Sequence, residues 1–345
     1  MKRQKDLWPE LTSWENLLTA WQHARKGKRF KRDVLAFHQH WEEHLIDIQN
    51  RLIWGMWEPK PFVSFLVHEP KQRLIEAPRF SDRVVHHALH QVVEPFFERR
   101  FIDDSYACRR GKGTHAAVAS VQKHLRRAQQ NWGQVYVLQA DIKGYFHHIQ
   151  HARLKQQIGR VIGDQKALQL WGQIIDFNGY NATGLPIGSL TSQLSANIYL
   201  DALDHHCKDD LGIKHYARYM DDWVILGRSK KELHDLKDHL EHWLYRELGL
   251  SLSKWSVYPA SQGVDFAGYR TWATHMLPRK RNIKRARKRI KALAKGYAAG
   301  RESPETVRSS MASYIGYTKH CQSHRTVVGL RADIKDWTTM AHQAA

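Results

Sequence analysis

The stretch RYMDDWVIL, residues 218–226, sets two adjacent aspartates inside a run that otherwise reads as buried strand. Aspartate is depleted from strands, and two like charges side by side repel one another. A turn between two short strands, Tyr216–Met220 and Trp223–Leu226, settles the backbone, because Asp tolerates tight turns. It leaves the charge unexplained. Asp141, in QVYVLQADIKGYF (residues 134–146), also ends an apolar strand at a glycine turn. Three carboxylates on the edges of a sheet suit magnesium, since hard divalent cations take oxygen ligands. Two such ions, about 4 Å apart, activate a hydroxyl nucleophile and stabilise a leaving pyrophosphate in an in-line displacement. The alternative is that all three aspartates only form turns.

The bulk numbers favour a polyanionic partner. The chain has 345 residues, of which 42% are hydrophobic, so it buries a substantial core and is not disordered. Lys and Arg outnumber Asp and Glu by 54 to 34, a formal charge of +20, and phosphate neutralisation by such a surface releases counterions. An anionic membrane is the other candidate for that charge. However, no run approaches the roughly 18 apolar residues of a spanning helix. The basic N-terminus lacks a signal-peptide apolar stretch, which sets a cytoplasmic expectation. Cys108, Cys207 and Cys321 are scattered, too few for a disulfide framework and badly spaced for zinc. In HHALH (86–90), His86 and His90 have a zinc-helix spacing, but no Glu follows the first His and no third ligand is near. A solvated or phosphate-facing histidine cluster is the expectation.

Apolar residues at helical spacing predict two helices over residues 12–57, split by RKGKRFKR (25–32). Short proline-bounded strands follow, then a helix from about Ser81 to Arg99 with Ser81 as its cap. RRGKGTHAAV (109–118) is a basic glycine-punctuated loop entering a further helix. Helical sequence runs on to about residue 176, and TGLPIGSLTSQLSANIYLDALDHHC (183–207) is a Gly/Pro loop leading into a helix. After Pro278 the chain becomes basic and helical. Ile283, Ala286, Ile290 and Leu293 form a narrow apolar stripe, and no acid occurs from residue 279 to 300.

YMDD at a strand–turn–strand, with ADIKGYF upstream, resembles the palm of a reverse transcriptase. Further motifs of that family stand in order: KQRLIEAPRFSDRVVHHAL (71–89), SYACRRGKGTHAAV (105–118), GLPIGSLTSQLSANIYL (184–200), LSLSKWSV (250–257) and FAGY (266–269). The resemblance implies an α+β right-hand polymerase: N-terminal helices and fingers over 1–130, palm over 131–270 with a helical segment near 150–180, and a basic helical thumb over 271–345. It implies Asp141 and Asp221 as direct ligands of two Mg2+ ions, with Mn2+ as a substitute, and Asp222 as the accessory carboxylate. Phe146 falls at the family's aromatic steric gate, which selects deoxynucleotides by excluding the ribose 2′-hydroxyl. Lys71 and Arg73 would meet the incoming triphosphate, and Lys254 would protonate the pyrophosphate leaving group. Phe266, Gly268 and Tyr269 would grip the primer, while Arg109, Arg110 and Lys112 would track the template. On the basic helix, Lys284, Arg287, Lys288 and Lys291 would hold an RNA–DNA hybrid through its phosphates.

In LPIGSLTSQ, Ile187 stands where retroviral enzymes carry Gln, and Gln193 stands where they carry Pro. With Gly188 between them, the string resembles the pattern of reverse transcriptases from diversity-generating retroelements. That placement implies a template RNA copied from dNTPs with frequent errors at adenines, and a small basic accessory protein oligomer as partner. A group II intron, retron or phage-defence reverse transcriptase is the alternative, and a non-catalytic RNA-binding relative a further one.

Overall fold

A computed structural model describes residues 2–68, 72–177 and 182–343. Four helices come first, α1 (Trp8–Leu11), α2 (Trp14–Arg25), α3 (Arg32–Gln39) and α4 (Trp41–Ile53). The hairpin β1 (Val63–Val67) and β2 (Arg73–Ala77) precedes helices α5 (Phe80–Glu98) and α6 (Thr114–Trp132). Strand β3 (Tyr136–Ile142) leads into α7 (Tyr145–His148), α8 (His151–Gly159), α9 (Gln165–Asp176) and α10 (Leu190–His205). Strands β4 (Tyr216–Tyr219) and β5 (Asp222–Gly227) are followed by α11 (Lys230–Trp243) and by β6 (Leu252–Pro259), β7 (Val264–Phe266), β8 (Tyr269–Thr271) and β9 (Met276–Pro278). Helices α12 (Lys280–Ala298), α13 (Pro304–Thr318) and α14 (His324–Gln343) complete the chain.

These elements form two compact units that interleave along the chain instead of following a linear division. The first comprises Met1–Arg110, Asp141–Ile213 and Asp238–Lys254; the second comprises Gly111–Ala140, Lys214–Lys237 and Trp255–Ala345. In the first unit α5 is the hub, packed against α2 and α10. Its face of Val84, Val85, Ala88, Leu89, Val92, Val93 and Phe97 is buried, each large side chain worth about 1.5–3 kcal/mol. The expected cap is corrected here. Arg79 occupies the cap position without a side-chain hydrogen bond, because the helix starts one residue early and the Ser81 hydroxyl turns to Asp82 instead. Asp82 is buried and accepts the Lys60 backbone N–H at 2.8 Å; burial pushes its carboxyl above the ordinary range.

A four-stranded sheet has the order β4-β5-β3-β6, and in the second unit β7-β8-β9 form a separate antiparallel sheet. Helix α6 packs against β4, β5 and β8, so it belongs with the sheet and not with the N-terminal helices. The stripe read on α12 is real: Ile290 is buried against Tyr314 and Leu330, with Ala286 packed beside them. Among the described residues, no helix is long and apolar enough to cross a membrane.

The N-terminal segment is anchored by backbone hydrogen bonds of Gln4 to Val161 and Gly163 and by one carboxylate. Asp164 caps α9 by accepting the Ala167 N–H at 3.0 Å, and its other oxygen accepts the N–H groups of Leu7 and Trp8 at 2.8 and 2.9 Å. Burial alone would raise its pKa, but these N–H donors outweigh burial and lower it below the ordinary carboxylate value. A lowered carboxylate pKa contributes stability above the unfolded-state value, and that stability is lost as pH falls through the folded one. Asp164→Ala should therefore destabilise the fold by about 1–2 kcal/mol at neutral pH. Chemical denaturation should show the gap between wild type and variant closing as the pH falls below about 4.

Candidate active site

The paired aspartates sit at a two-residue turn of the second unit. Strands β4 and β5 pair antiparallel from Tyr216↔Ile225 to Tyr219↔Asp222, which leaves only Met220 and Asp221 to reverse the chain. Two-residue hairpin turns demand positive φ, usually met by Gly or Asn. Here Met220 takes φ 58°, at a cost of about 1–3 kcal/mol for a non-glycine residue. Arg218 holds the turn closed. Its side chain is fully buried, and its guanidinium donates to the Met220 carbonyl at 3.0 Å. Asp221 and Asp222 are half-buried. One Asp222 carboxylate oxygen accepts from the Gln139 amide on β3 at 3.2 Å, and the same amide donates to the Asp265 carbonyl at 2.8 Å. The Tyr258 hydroxyl fixes that amide by donating to Gln139 Oε1 at 3.0 Å. Burial holds Tyr258 well above the ordinary phenol range, so it stays a donor.

Asp141 lies in the first unit, where Ser253 Oγ donates to its Oδ2 at 2.6 Å. The neighbouring backbone is tied as well, since Lys143 N–H donates to Ser251 O at 2.9 Å. Lys254 is exposed next to Ser253. Gly144 turns the chain with φ 51° into α7, which carries the half-buried Phe146. The Phe146 carbonyl accepts from Leu185 N–H at 2.8 Å, which brings the predicted gate and the LPIG loop together. On the loop's other side, Glu76 N–H of β2 donates to Ile187 O at 3.0 Å. Gly188 has φ 130°, and a Cβ there would stand 2.9 Å from Ile75 Cγ2, so this position is closed to any side chain. Arg73 is exposed on β2 and Gln193 is exposed on the first turn of α10.

Several expected contacts take a different form. Lys71 lies outside the described residues. Arg109 is not available to a template: its guanidinium is bound to Glu98 at 3.0 Å and to the carbonyls of Ile102 and Ser105 at 2.6 and 2.8 Å. Arg110 is exposed but paired with Glu94 at 3.1 Å, and Lys112 is half-buried. Phe266 and Tyr269 are fully buried, so their rings cannot stack on a primer. Tyr269 instead donates to Tyr317 O at 2.7 Å, and the Ala267–Gly268 turn of that hairpin is half-buried. Lys284, Arg287, Lys288 and Lys291 are exposed on α12, with Arg287 ion-paired to Asp333. One member of the histidine cluster is not solvated: His86 is buried and burial pushes its pKa down to about 3, whereas His87 and His90 are half-buried. Sequence reasoning missed Arg218, Gln139 and Ser253, and it placed His86 on the surface. A lone Arg in an apolar strand was the one available signal.

Among the described residues, no group of three or more His, Cys, Asp or Glu side chains is assembled to hold a metal ion. Each carboxylate taken by itself is the oxygen donor that a hard divalent cation takes, and each is hydrogen-bonded to a neutral donor, Asp141 to Ser253 and Asp222 to Gln139.

Residues 62–271 match the family described as Reverse transcriptase (RNA-dependent DNA polymerase), and the match spans more than half of the chain. The chain belongs to the reverse transcriptase family. The fold class read from the sequence, α+β of the right-hand polymerase type, is the one this family has. Protein YkfC of Escherichia coli (strain K12) is 24% identical over 268 residues, 65% of this chain and 70% of YkfC. The group II intron-encoded protein LtrA of Lactococcus lactis subsp. cremoris is 29% identical over 173 residues, 47% of this chain but only 28% of LtrA. Telomerase from Candida albicans, solved with a fragment of telomeric RNA, aligns at TM-score 0.48 and 11% identity, covering 83% of this chain and 59% of that chain.

Arg218 is the residue on which this reverse transcriptase turn rests. Arg218→Met should destabilise the protein by about 1–3 kcal/mol, because it leaves the Met220 carbonyl without its side-chain donor. Urea midpoints would show the loss, whereas Lys254→Met, at an exposed position, should leave the midpoint unchanged.

Proposed function

We propose that this chain is an RNA-directed DNA polymerase that copies a template RNA into cDNA from dNTPs. The observation that carries the reading is the closed Met220–Asp221 turn, with Asp222 hydrogen-bonded to Gln139 two residues before Asp141. Asp141, Asp221 and Asp222 would hold two Mg2+ ions, and such ions would supply activation of the primer 3′-hydroxyl and charge neutralisation at the leaving pyrophosphate. Arg218 keeps the turn in its strained shape, and Ser253 and Gln139 orient carboxylate oxygens before any substrate arrives. Phe146 excludes a ribose, while Arg73 and Lys71 meet the triphosphate. Lys254, exposed beside Ser253, supplies the proton to pyrophosphate. The exposed face of α12 grips the template–product hybrid through its phosphates.

The finer placement we infer is a diversity-generating retroelement, with errors concentrated at template adenines and an accessory protein oligomer as partner. Ile187 and Gln193 support it. Glu76 N–H ties the Ile187 carbonyl, and in this reading the side-chain difference there acts on the substrate. An aliphatic side chain cannot supply the polar contact that Gln would, a contact worth about 1 kcal/mol in discrimination. The second reading is an intron-type enzyme, favoured by the similarity to LtrA.

Primer extension on a defined adenine-containing RNA with magnesium tests both levels. The wild type should make cDNA and Asp221→Ala should lose it by at least about 1000-fold. Sequenced products should show errors at template adenines, reduced in Ile187→Gln. Accurate cDNA from the wild type would favour the intron-type reading, and equal synthesis by Asp221→Ala would refute the polymerase.

A further inference from the structure

The LPIG loop is tied at Leu185 to Phe146 and at Ile187 to Glu76, and its end is tied to a buried histidine. His86 Nδ1 lies 2.9 Å from Ser189 Oγ and 3.1 Å from Thr191 Oγ1, and the two hydroxyls lie 2.9 Å from each other. All three side chains are buried, with 3%, 2% and 2% exposure. This triangle joins the α5 hub to the first turn of α10, immediately after Gly188.

Its second feature is a forgone cap. Ser189 occupies the cap position of α10 with extended backbone, where a serine hydroxyl ordinarily accepts from an N–H of the first turn. It makes no such bond. The hydroxyl is directed to His86 and Thr191 instead, so the start of α10 is positioned from outside the helix. The loop has no slack to absorb a change, because Gly188 has φ 130° and its Cβ position is blocked by Ile75.

We propose that His86 is a positioning residue for nucleotide selection: through Ser189 and Thr191 it sets the height of the Leu185–Gly188 wall against the incoming dNTP. This rests on the polymerase reading above. An imidazole suits the task because it stays neutral in the core and offers one ring nitrogen to both hydroxyls. Asn can place a polar atom near the Nδ1 position, whereas Leu cannot. Without His86, Ser189 is free to return to the ordinary cap of α10, and the loop before it must shift.

The test compares wild type with His86→Leu, His86→Asn and Ser189→Ala in steady-state extension and in amide hydrogen exchange. His86→Leu and Ser189→Ala should raise KM for dNTP by about five-fold, the size of one lost neutral hydrogen bond, with kcat little changed. Exchange should accelerate over residues 185–191 and stay unchanged in α9. His86→Asn should recover most of the KM. Unchanged KM and exchange in both His86→Leu and Ser189→Ala would overturn the proposal, as would a fall in kcat at constant KM. Should His86→Leu fail to fold, Ser189→Ala carries the same readouts. If the wild type makes no cDNA at all, the polymerase reading fails. The exchange result then still decides whether the clamp exists.

Discussion

Two neighbouring carboxylates at a two-residue turn are the constraint around which the second unit is built. Like charges that close repel, and the turn adds strain by holding Met220 at φ 58°. Nothing intrinsic to YMDD favours that shape. It persists because β4 and β5 are buried strands in fixed register, because α6 packs against both, and because the buried Arg218 bonds the turn carbonyl. A charged guanidinium with no exposure is itself expensive to bury, and adjacent aspartates are a reason for a cation to stay there. The relay from Tyr258 through Gln139 to Asp222 then fixes where one carboxylate oxygen points. Strain and buried polarity of this kind concentrate where function demands them.

The first unit makes a wall by different means. Its parts are a helix hub, α5, and a loop with little secondary structure of its own. Backbone hydrogen bonds from Leu185 and to Ile187, together with the His86 triangle, give that loop the precision a strand would otherwise supply. Sites placed on loops need such outside support, because a loop alone is imprecise. Here the support comes from α5, the element with the largest buried apolar face of the unit.

Much of this was legible in the sequence. The aspartates at strand ends, the glycine turns, the stripe on the basic helix and the order of motifs all follow from local patterns of charge and apolarity. What was not legible depends on long-range pairing. The histidine cluster at 86–90 reads as polar surface, yet a helix hub buries one face completely, and His86 lies on it. Arg109 reads as a free cation in a basic loop, but Glu98, eleven residues away, captures it. Phe266 and Tyr269 read as surface grips, although a helix from much later in sequence, carrying Tyr317, covers Tyr269. The interleaving of the units was likewise invisible, since a linear scan cannot show that α6 packs on strands a hundred residues downstream.

Manganese binding is the most direct test of the central claim, measured by electron paramagnetic resonance on the chain bound to an RNA template, a DNA primer and a non-incorporable dNTP. The wild type should hold about two ions per chain. Asp221→Asn should lose that binding while still retaining the hybrid. Equal manganese occupancy in the two proteins would contradict the account.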